Sequence, residues 1–458
     1  MADKLKISFY SGTESVTGAN FILESPKTKI MIDCGITQSP YFNPKNDPSR
    51  KDFPYNPAEV DYLLVTHAHA DHIGRIPKLI RDGFKGKIFS TEPTKEITGI
   101  VLDDALNITT NESKRFDVPP LYEKRDLDTT LTIWQTKNYH EEFDLNEEFS
   151  VVFKDAGHIL GSAIICIIHK ETRQRIVFTG DLGNTPTPLI RNTEDITDAD
   201  YLIIESVYGD RNHEERELRK EKLKEILNKI IVRKGTLLIP VFSLEKTQVL
   251  LHQMNDLIEG GAVPSVPVFF DSPLGIRLTE VYARQFQNFN EKVQARIKAG
   301  DDIFDFPKLT RTLDHRDSEN IRKTNGPKII IASSGMSSGG RILEHEKEYL
   351  SDPKNAILFI GYQVAGTIGR AIEEGDKEIK IEGSTIPVKA QAYSVSGYSS
   401  HKDSDGLVDF VSHTAEKVKK VFVVMGEPKS ALFLTQKLRD NLGVNAIHPR
   451  EGESYELW

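Results

Sequence analysis

Short apolar runs punctuated by Gly, Pro, Asn and Asp fill the first part of the chain. They are Leu5 to Phe9, Phe21 to Leu23, Lys29 to Asp33, Tyr62 to Val65, Val151 to Asp155, Ala163 to Ile168, Arg175 to Thr179 and Tyr201 to Ile204. Runs of this kind, closed by turn formers, predict strands, and hence a β-rich domain with a few covering helices. After Tyr208 the period changes. Between His213 and Val232, the residues Leu223, Ile226, Leu227, Ile230 and Ile231 recur at helical spacing. Strand Thr236 to Ile239, an amphipathic helix near Leu244 to Ile258, and strand Val268 to Asp271 come next. Strand Lys328 to Ala332, helix Arg341 to Leu350 and strand Ala356 to Ile360 continue the alternation. Strands alternating with helices build a parallel-sheet α/β unit. The tail is mixed: strand Val388 to Tyr393, helix Ser404 to Val411, strand Val421 to Met425 and helix Ser430 to Leu442. The pattern divides the chain into residues 1–208, an α/β unit at 209–385 and a last segment at 386–458. Pro40 to Pro57, with five prolines, reads as an ordered surface loop.

Composition narrows the class without identifying a chemistry. With 38% apolar and 28% charged residues over 458 positions, the chain is of the soluble globular kind and long enough for a large core. Its only cysteines, Cys34 and Cys166, sit in apolar runs and read as reduced core residues. The first residues lack the apolar stretch of a secretory signal. No run approaches the roughly 18 apolar residues of a membrane-spanning helix. The expectation is a cytoplasmic protein with no membrane partner. A net charge of −9 gives no support for nucleic-acid binding and leaves any such role to a local site, where bound cations would add positive charge.

The chemistry-bearing signal is Thr66-His67-Ala68-His69-Ala70-Asp71-His72, directly after the apolar run Tyr62 to Val65. Imidazole and carboxylate are the donors that suit Zn²⁺ at a catalytic site, and a strand end lets them converge. His67 and His69 alternate and can face one metal, while Asp71 and His72, on the turn into a helix, can face a second. The bland alternative is a histidine-rich surface turn. Three further residues follow predicted strands or turns: His158 in Ala156-Gly157-His158, Asp181 in Thr179-Gly180-Asp181, and His401 in Ser399-Ser400-His401-Lys402-Asp403. Each alone reads equally as a capping or hydrogen-bonding residue.

Taken together, these motifs resemble the metallo-β-lactamase superfamily. The resemblance implies an αββα sandwich in which His67, His69 and His158 hold one zinc ion. Asp71, His72 and His401 hold the other, and Asp181 bridges both; Mn²⁺ is an alternative metal. It also gives Asp33 the role of orienting a ligand histidine. Two such ions acidify a shared water and neutralise a phosphate oxygen, with Asp71 or Asp181 orienting the nucleophile. The α/β insertion between Asp181 and His401 resembles the β-CASP group of nucleases, which makes 386–458 the return of the first domain. Glu205 in Glu205-Ser206-Val207-Tyr208, Asp271-Ser272-Pro273-Leu274, Ser333-Ser334-Gly335-Met336, Gly339-Gly340-Arg341 and Gly361-Tyr362-Gln363 carry that likeness along the chain. It implies a ribonuclease acting on single-stranded RNA in a cleft between two domains, with a homodimer among the expected assemblies. Asp71, Asp181, Glu205 and His401 would be its catalytic residues. The Gly- and Ser-rich segment would present Ser333, Ser334, Gly335 and Arg341 to substrate phosphate, with Arg370 nearby.

One departure stands out. Many β-CASP nucleases carry a histidine shortly after the Gly-Thr of the Gly-Tyr-Gln run, whereas here the stretch reads Gly366-Thr367-Ile368-Gly369-Arg370-Ala371. Glu205 is therefore expected to lack an imidazole partner. Two other readings compete: a catalytically weak RNA-binding or scaffold subunit, and a small-molecule hydrolase of the same fold.

Overall fold

The apolar runs of the first part of the chain pair into two sheets of seven strands each. In the computed structural model, which describes residues 4–37, 44–213 and 218–458, the first sheet runs Ser454–Glu456, Lys6–Ser11, Asn20–Glu24, Lys29–Ile32, Tyr62–Leu64, Lys87–Ser90, Trp134–Thr136. The second runs Ala446–Ile447, Lys420–Val424, Tyr201–Glu205, Arg175–Phe178, Ala163–His169, Phe149–Asp155, Phe143–Asp144. Ile7, Phe9, Phe21, Leu23, Ile30 and Ile32 from one sheet meet Ala163, Ile165, Ile167, Ile176 and Phe178 from the other in one apolar core. The alternate residues Ile164, Cys166, Val177, Leu202 and Ile204 face a second core with Leu407, Phe410, Leu434 and Leu438. Those last four residues lie on the helices Ser404–Ser412 and Pro428–Leu442. A sheet covered on both faces explains why Ala163–His169 is buried throughout and reads as a continuous apolar run. Cys34 and Cys166 are both buried and unpaired, as expected, and burial pushes each thiol up to about 12.

The chain divides into one unit of residues 1–212 with 401–458 and another of residues 213–400. The second unit carries a sheet of six strands, Leu309–Arg311, Val268–Asp271, Lys328–Ala332, Thr236–Pro240, Ala356–Phe359 and Gln391–Ser394, in that spatial order and all parallel, and a separate antiparallel pair, Glu378–Ile381 with Ser384–Pro387. Gln391–Ser394 pairs with Ala356–Phe359 and so belongs to the inserted sheet, and the chain rejoins the first unit at His401. The helix expected from His213 spans Arg219–Arg233, with 214–217 outside the described residues. Of the proline-rich loop, 38–43 also lie outside them, and the rest contains short turns at Pro44–Asn46, Pro48–Arg50 and Pro57–Glu59. Among the described residues no helix is long and apolar enough to cross a membrane.

Candidate metal centre

Every element of the centre belongs to the first unit. Strand Tyr62–Leu64 ends just before Thr66, and the chain then turns into the short helix Ala70–Ile73, which places His67, His69, Asp71 and His72 within one loop and its first turn. His158 lies in the loop between Phe149–Asp155 and Ala163–His169, where Ser162 Oγ accepts its backbone N–H at 3.0 Å. Asp181 follows Arg175–Phe178 through Gly180 at φ 53, a left-handed turn where an added Cβ would sit 2.7 Å from Thr66. His401 arrives beside this loop through a bridge to Gly183 and a bond from Lys402 N–H to Leu182 O at 2.9 Å.

Four of the expected ligands enclose one point. His67 Nε2 lies 3.1 Å from His69 Nδ1, which lies 3.3 Å from His158 Nε2. Asp181 Oδ2 is 3.4 Å from His67 Nε2 and 3.5 Å from His158 Nε2. These four residues form a group able to hold a metal ion. Their hydrogen bonds leave the inward atoms as acceptors. Thr66 Oγ1 donates to Asp33 Oδ2 at 2.7 Å, so at 3.0 Å it receives the proton of His67 Nδ1, and His67 Nε2 turns a lone pair inward. Burial, helped by the neighbouring imidazoles, lowers the pKa of His67 and holds His69 and His158 well below the ordinary histidine value. Neutral imidazole is the form that binds metal.

A second group lies on the other side of Asp181. Asp33 Oδ2 takes His72 Nδ1 at 2.7 Å, which aims His72 Nε2 at Asp181 Oδ1, 3.5 Å away, with Asp71 Oδ2 at 3.8 Å. Among the described residues neither His72 Nε2 nor Asp181 Oδ1 has a hydrogen-bond partner, although both are buried. Buried polar atoms left unsatisfied are costly, and a cation between them removes the cost. Burial opposes charge on His72, but Asp181 and Asp33 outweigh it and hold its pKa well above the usual value. Asp181 is conversely held well below the carboxylate range: His72 and His67 outweigh its burial. Asp71 is raised by burial. These donor sets fit divalent metal at both positions.

The Nδ1 of His401 lies 3.2 and 3.3 Å from the two oxygens of Glu205 and 3.9 Å from Asp181 Oδ2, and these three residues form a further group able to hold a metal ion. Glu205 is fully buried, which raises its pKa against the pull of His401, and its Oε1 also accepts Leu182 N–H at 2.6 Å. The imidazole partner expected to be missing from Glu205 is therefore present, supplied from 196 residues downstream. Two further residues were not singled out from sequence. Thr66 ties Asp33 to His67, and its position next to His67 was the available signal. Met425, following strand Lys420–Val424, lines a small cavity with Asp33, Thr66, His72 and Glu205; the signal was its place at a strand end, like Asp181.

The expected phosphate contacts all lie in the second unit. Ser333 Oγ bonds Ser243 Oγ at 2.8 Å and Ser272 Oγ at 2.7 Å, while Ser334 Oγ accepts Ser338 N–H at 3.0 Å. Gly335 has Phe242 where a Cβ would go, 2.5 Å away. Arg341 departs from the expectation. Its guanidinium donates to Asp271 Oδ1 at 2.6 Å, Thr312 O at 2.9 Å and Leu313 O at 2.7 Å, a structural commitment that occupies it. Arg370 pairs with Glu374 at 2.8 Å on the surface.

Three family models match the chain: the metallo-beta-lactamase superfamily over 16–232, the Beta-Casp domain over 247–372, and the Zn-dependent metallo-hydrolase RNA specificity domain over 385–449. A ribonuclease of Thermus thermophilus is 33% identical over 95% of this chain and 96% of its own length. An RNase J-like protein of Methanocaldococcus jannaschii is 31% identical over 97% and 98%. The transcription termination factor FttA of the same organism is 30% identical over 95% of this chain and 69% of its own length.

Proposed function

The chain belongs to the metallo-β-lactamase superfamily, in its β-CASP nuclease group, and from that membership we propose that it is a zinc-dependent ribonuclease hydrolysing RNA phosphodiester bonds. The observation that carries the metal is the spacing of His67, His69, His158 and Asp181. Donors about 2.0–2.1 Å from a tetrahedral Zn²⁺ stand about 3.3–3.4 Å from one another, and the four donor edges here run from 3.1 to 3.5 Å. RNA as substrate is supported by the match to the RNA specificity domain and by the relative named as a ribonuclease.

His67, His69, His158 and Asp181, with Asp71 and His72 beside them, would hold divalent ions, which would acidify water and draw charge from a phosphate oxygen. The protein's part is orientation. Asp181 turns one oxygen to each position, Asp33 and Thr66 fix the rings of His72 and His67, and Asp71 faces the second position. Glu205 holds His401 by Nδ1, the arrangement of a positioned general acid that gives a proton to the departing oxygen. Ser334 and Gly335 remain the candidates for phosphate contact; Arg341 does not.

Zinc-loaded protein incubated with end-labelled single-stranded RNA tests this reading, with Asp71→Ala protein purified identically. Cleavage by the parent and none by the variant is expected. Intact RNA after incubation with a parent whose bound metal has been verified would place the scaffold or small-molecule readings ahead.

A further inference from the structure

We infer that the inserted sheet holds one nucleotide of a single-stranded RNA at its strand ends, with the phosphate against Lys246 and the base against Tyr362. The inference rests on the reading of RNA as the substrate and adds two residues to it. Its ground is the order of the strands. Thr236–Pro240 and Ala356–Phe359 lie side by side and parallel, yet the chain leaves them in opposite directions. It goes from the first toward Val268–Asp271 on one side, and from the second toward Gln391–Ser394 on the other. Where neighbouring parallel strands send their connections apart, a crevice opens outside their carboxyl ends, and sheets of this kind take their ligands there. Phe242 and Lys246 follow the first strand; Gly361 and Tyr362 follow the second.

The loops are built to meet there. Gln363, fully buried, donates through Nε2 to Gly361 O at 2.9 Å and to Gly335 O at 3.0 Å, which ties the loop of Tyr362 to the glycine-rich turn. Phe242 sits against both glycines: an added Cβ would lie 2.5 Å from its ring at Gly335 and 3.4 Å from it at Gly361. Lys246 Nζ stands over that ring, 4.4 Å from its centre. A Cβ at Gly361 would come within 2.8 Å of the same nitrogen, so a side chain there would displace it. The other cations of these loops are already neutralised, Arg341 by Asp271 and Arg370 by Glu374. Among the described residues Lys246 Nζ meets no carboxylate. Its neighbours Phe242 and Gly361 are uncharged, and burial alone pushes its pKa down to about 8. A nearby anion restores the charged form that burial disfavours, and a phosphate is such an anion. Tyr362, next in the chain to Gly361, is 55% exposed, an aromatic ring held in solvent beside this cation. Proteins hold unpaired nucleotides with these two parts, stacking the base on a ring and pairing the phosphate with a cation.

Fluorescence anisotropy of a labelled single-stranded RNA, titrated with full-length Asp71→Ala protein so that the strand stays whole, tests this. Adding Tyr362→Ala should weaken binding roughly 5- to 150-fold, the usual worth of one stacked base. Adding Lys246→Met should lower the slope of log affinity against log salt by about 0.7, the value of one phosphate contact on a single strand. Without these changes, affinity should fall as the pH rises through about 8, where the free amine loses its proton, and Lys246→Arg should remove that fall. Tyr362→Trp should preserve binding, and its emission should be quenched by the RNA but not by inorganic phosphate. Binding and salt slope unchanged in both Tyr362→Ala and Lys246→Met, or equal quenching by inorganic phosphate, would overturn the inference and leave RNA as the substrate. Failure of the Asp71→Ala protein itself to bind RNA would overturn the substrate reading and this inference with it. Should the Ala or Met variant fail to fold, the Tyr362→Trp emission and the Lys246→Arg pH profile decide the matter.

Discussion

Two buried aspartates, one in each unit, stand at strand ends among histidine and hydroxyl neighbours, and they differ in one respect. Asp271, fully buried at the end of Val268–Asp271, accepts from Thr312 at 2.7 Å, Ser318 at 2.5 Å, Arg341 at 2.6 Å and His345 at 2.7 Å. All four donors bind their own protein, and they hold its pKa near about 2 despite its burial. Asp181 is equally enclosed, yet its Oδ1 and the facing His72 Nε2 have no hydrogen-bond partner. A saturated buried carboxylate is a structural joint; an unsaturated one opposite an unsatisfied imidazole nitrogen is a place suited to a cation. The same residue types thus serve opposite ends, and the partner census separates them where composition does not.

That contrast yields an ordered set of outcomes. Asp181→Asn should abolish both RNA cleavage and retained metal, read by gel assay and mass spectrometry, because it faces both metal positions. His401→Ala should lower the cleavage rate by about 10²–10⁴-fold, the usual worth of a general acid, with metal content unchanged. Asp271→Ala should leave metal content intact but cost about 3–5 kcal/mol in denaturant unfolding, since Arg341 loses its buried partner. Asp33→Asn, which loosens the ring of His72, should weaken metal binding by about 10–100-fold. The last is a matter of pH. The folded pKa of Asp271 is depressed from 3.8 to about 2, so the stability it lends is complete above the unfolded value and is lost as pH falls through the folded one. Asp271→Asn should remove that part of the acid-unfolding slope between about pH 4 and 2.

Much of this was legible in the chain itself. The cluster Thr66 to His72 needed only a strand and a turn to bring its donors together, and those are local features that pattern reading captures. The two covered sheets were visible as apolar runs, and the inserted parallel sheet as alternating strands and helices. What failed to show were pairings made at long range. Glu205 and His401 meet across 196 residues, and nothing near either one announces the other. Arg341 follows a glycine-rich turn that reads as a phosphate loop, but its fate depends on Asp271, 70 residues earlier. Gln391–Ser394 looks like any strand, and only its partner Ala356–Phe359 decides which unit owns it.

The most direct measurement is cleavage of labelled single-stranded RNA by the parent protein after exhaustive chelation, followed by stepwise return of zinc. Activity should vanish on chelation and return as the metal is restored. Cleavage that persists in verified metal-free protein would contradict the assignment of His67, His69, His158 and Asp181 as the heart of the enzyme.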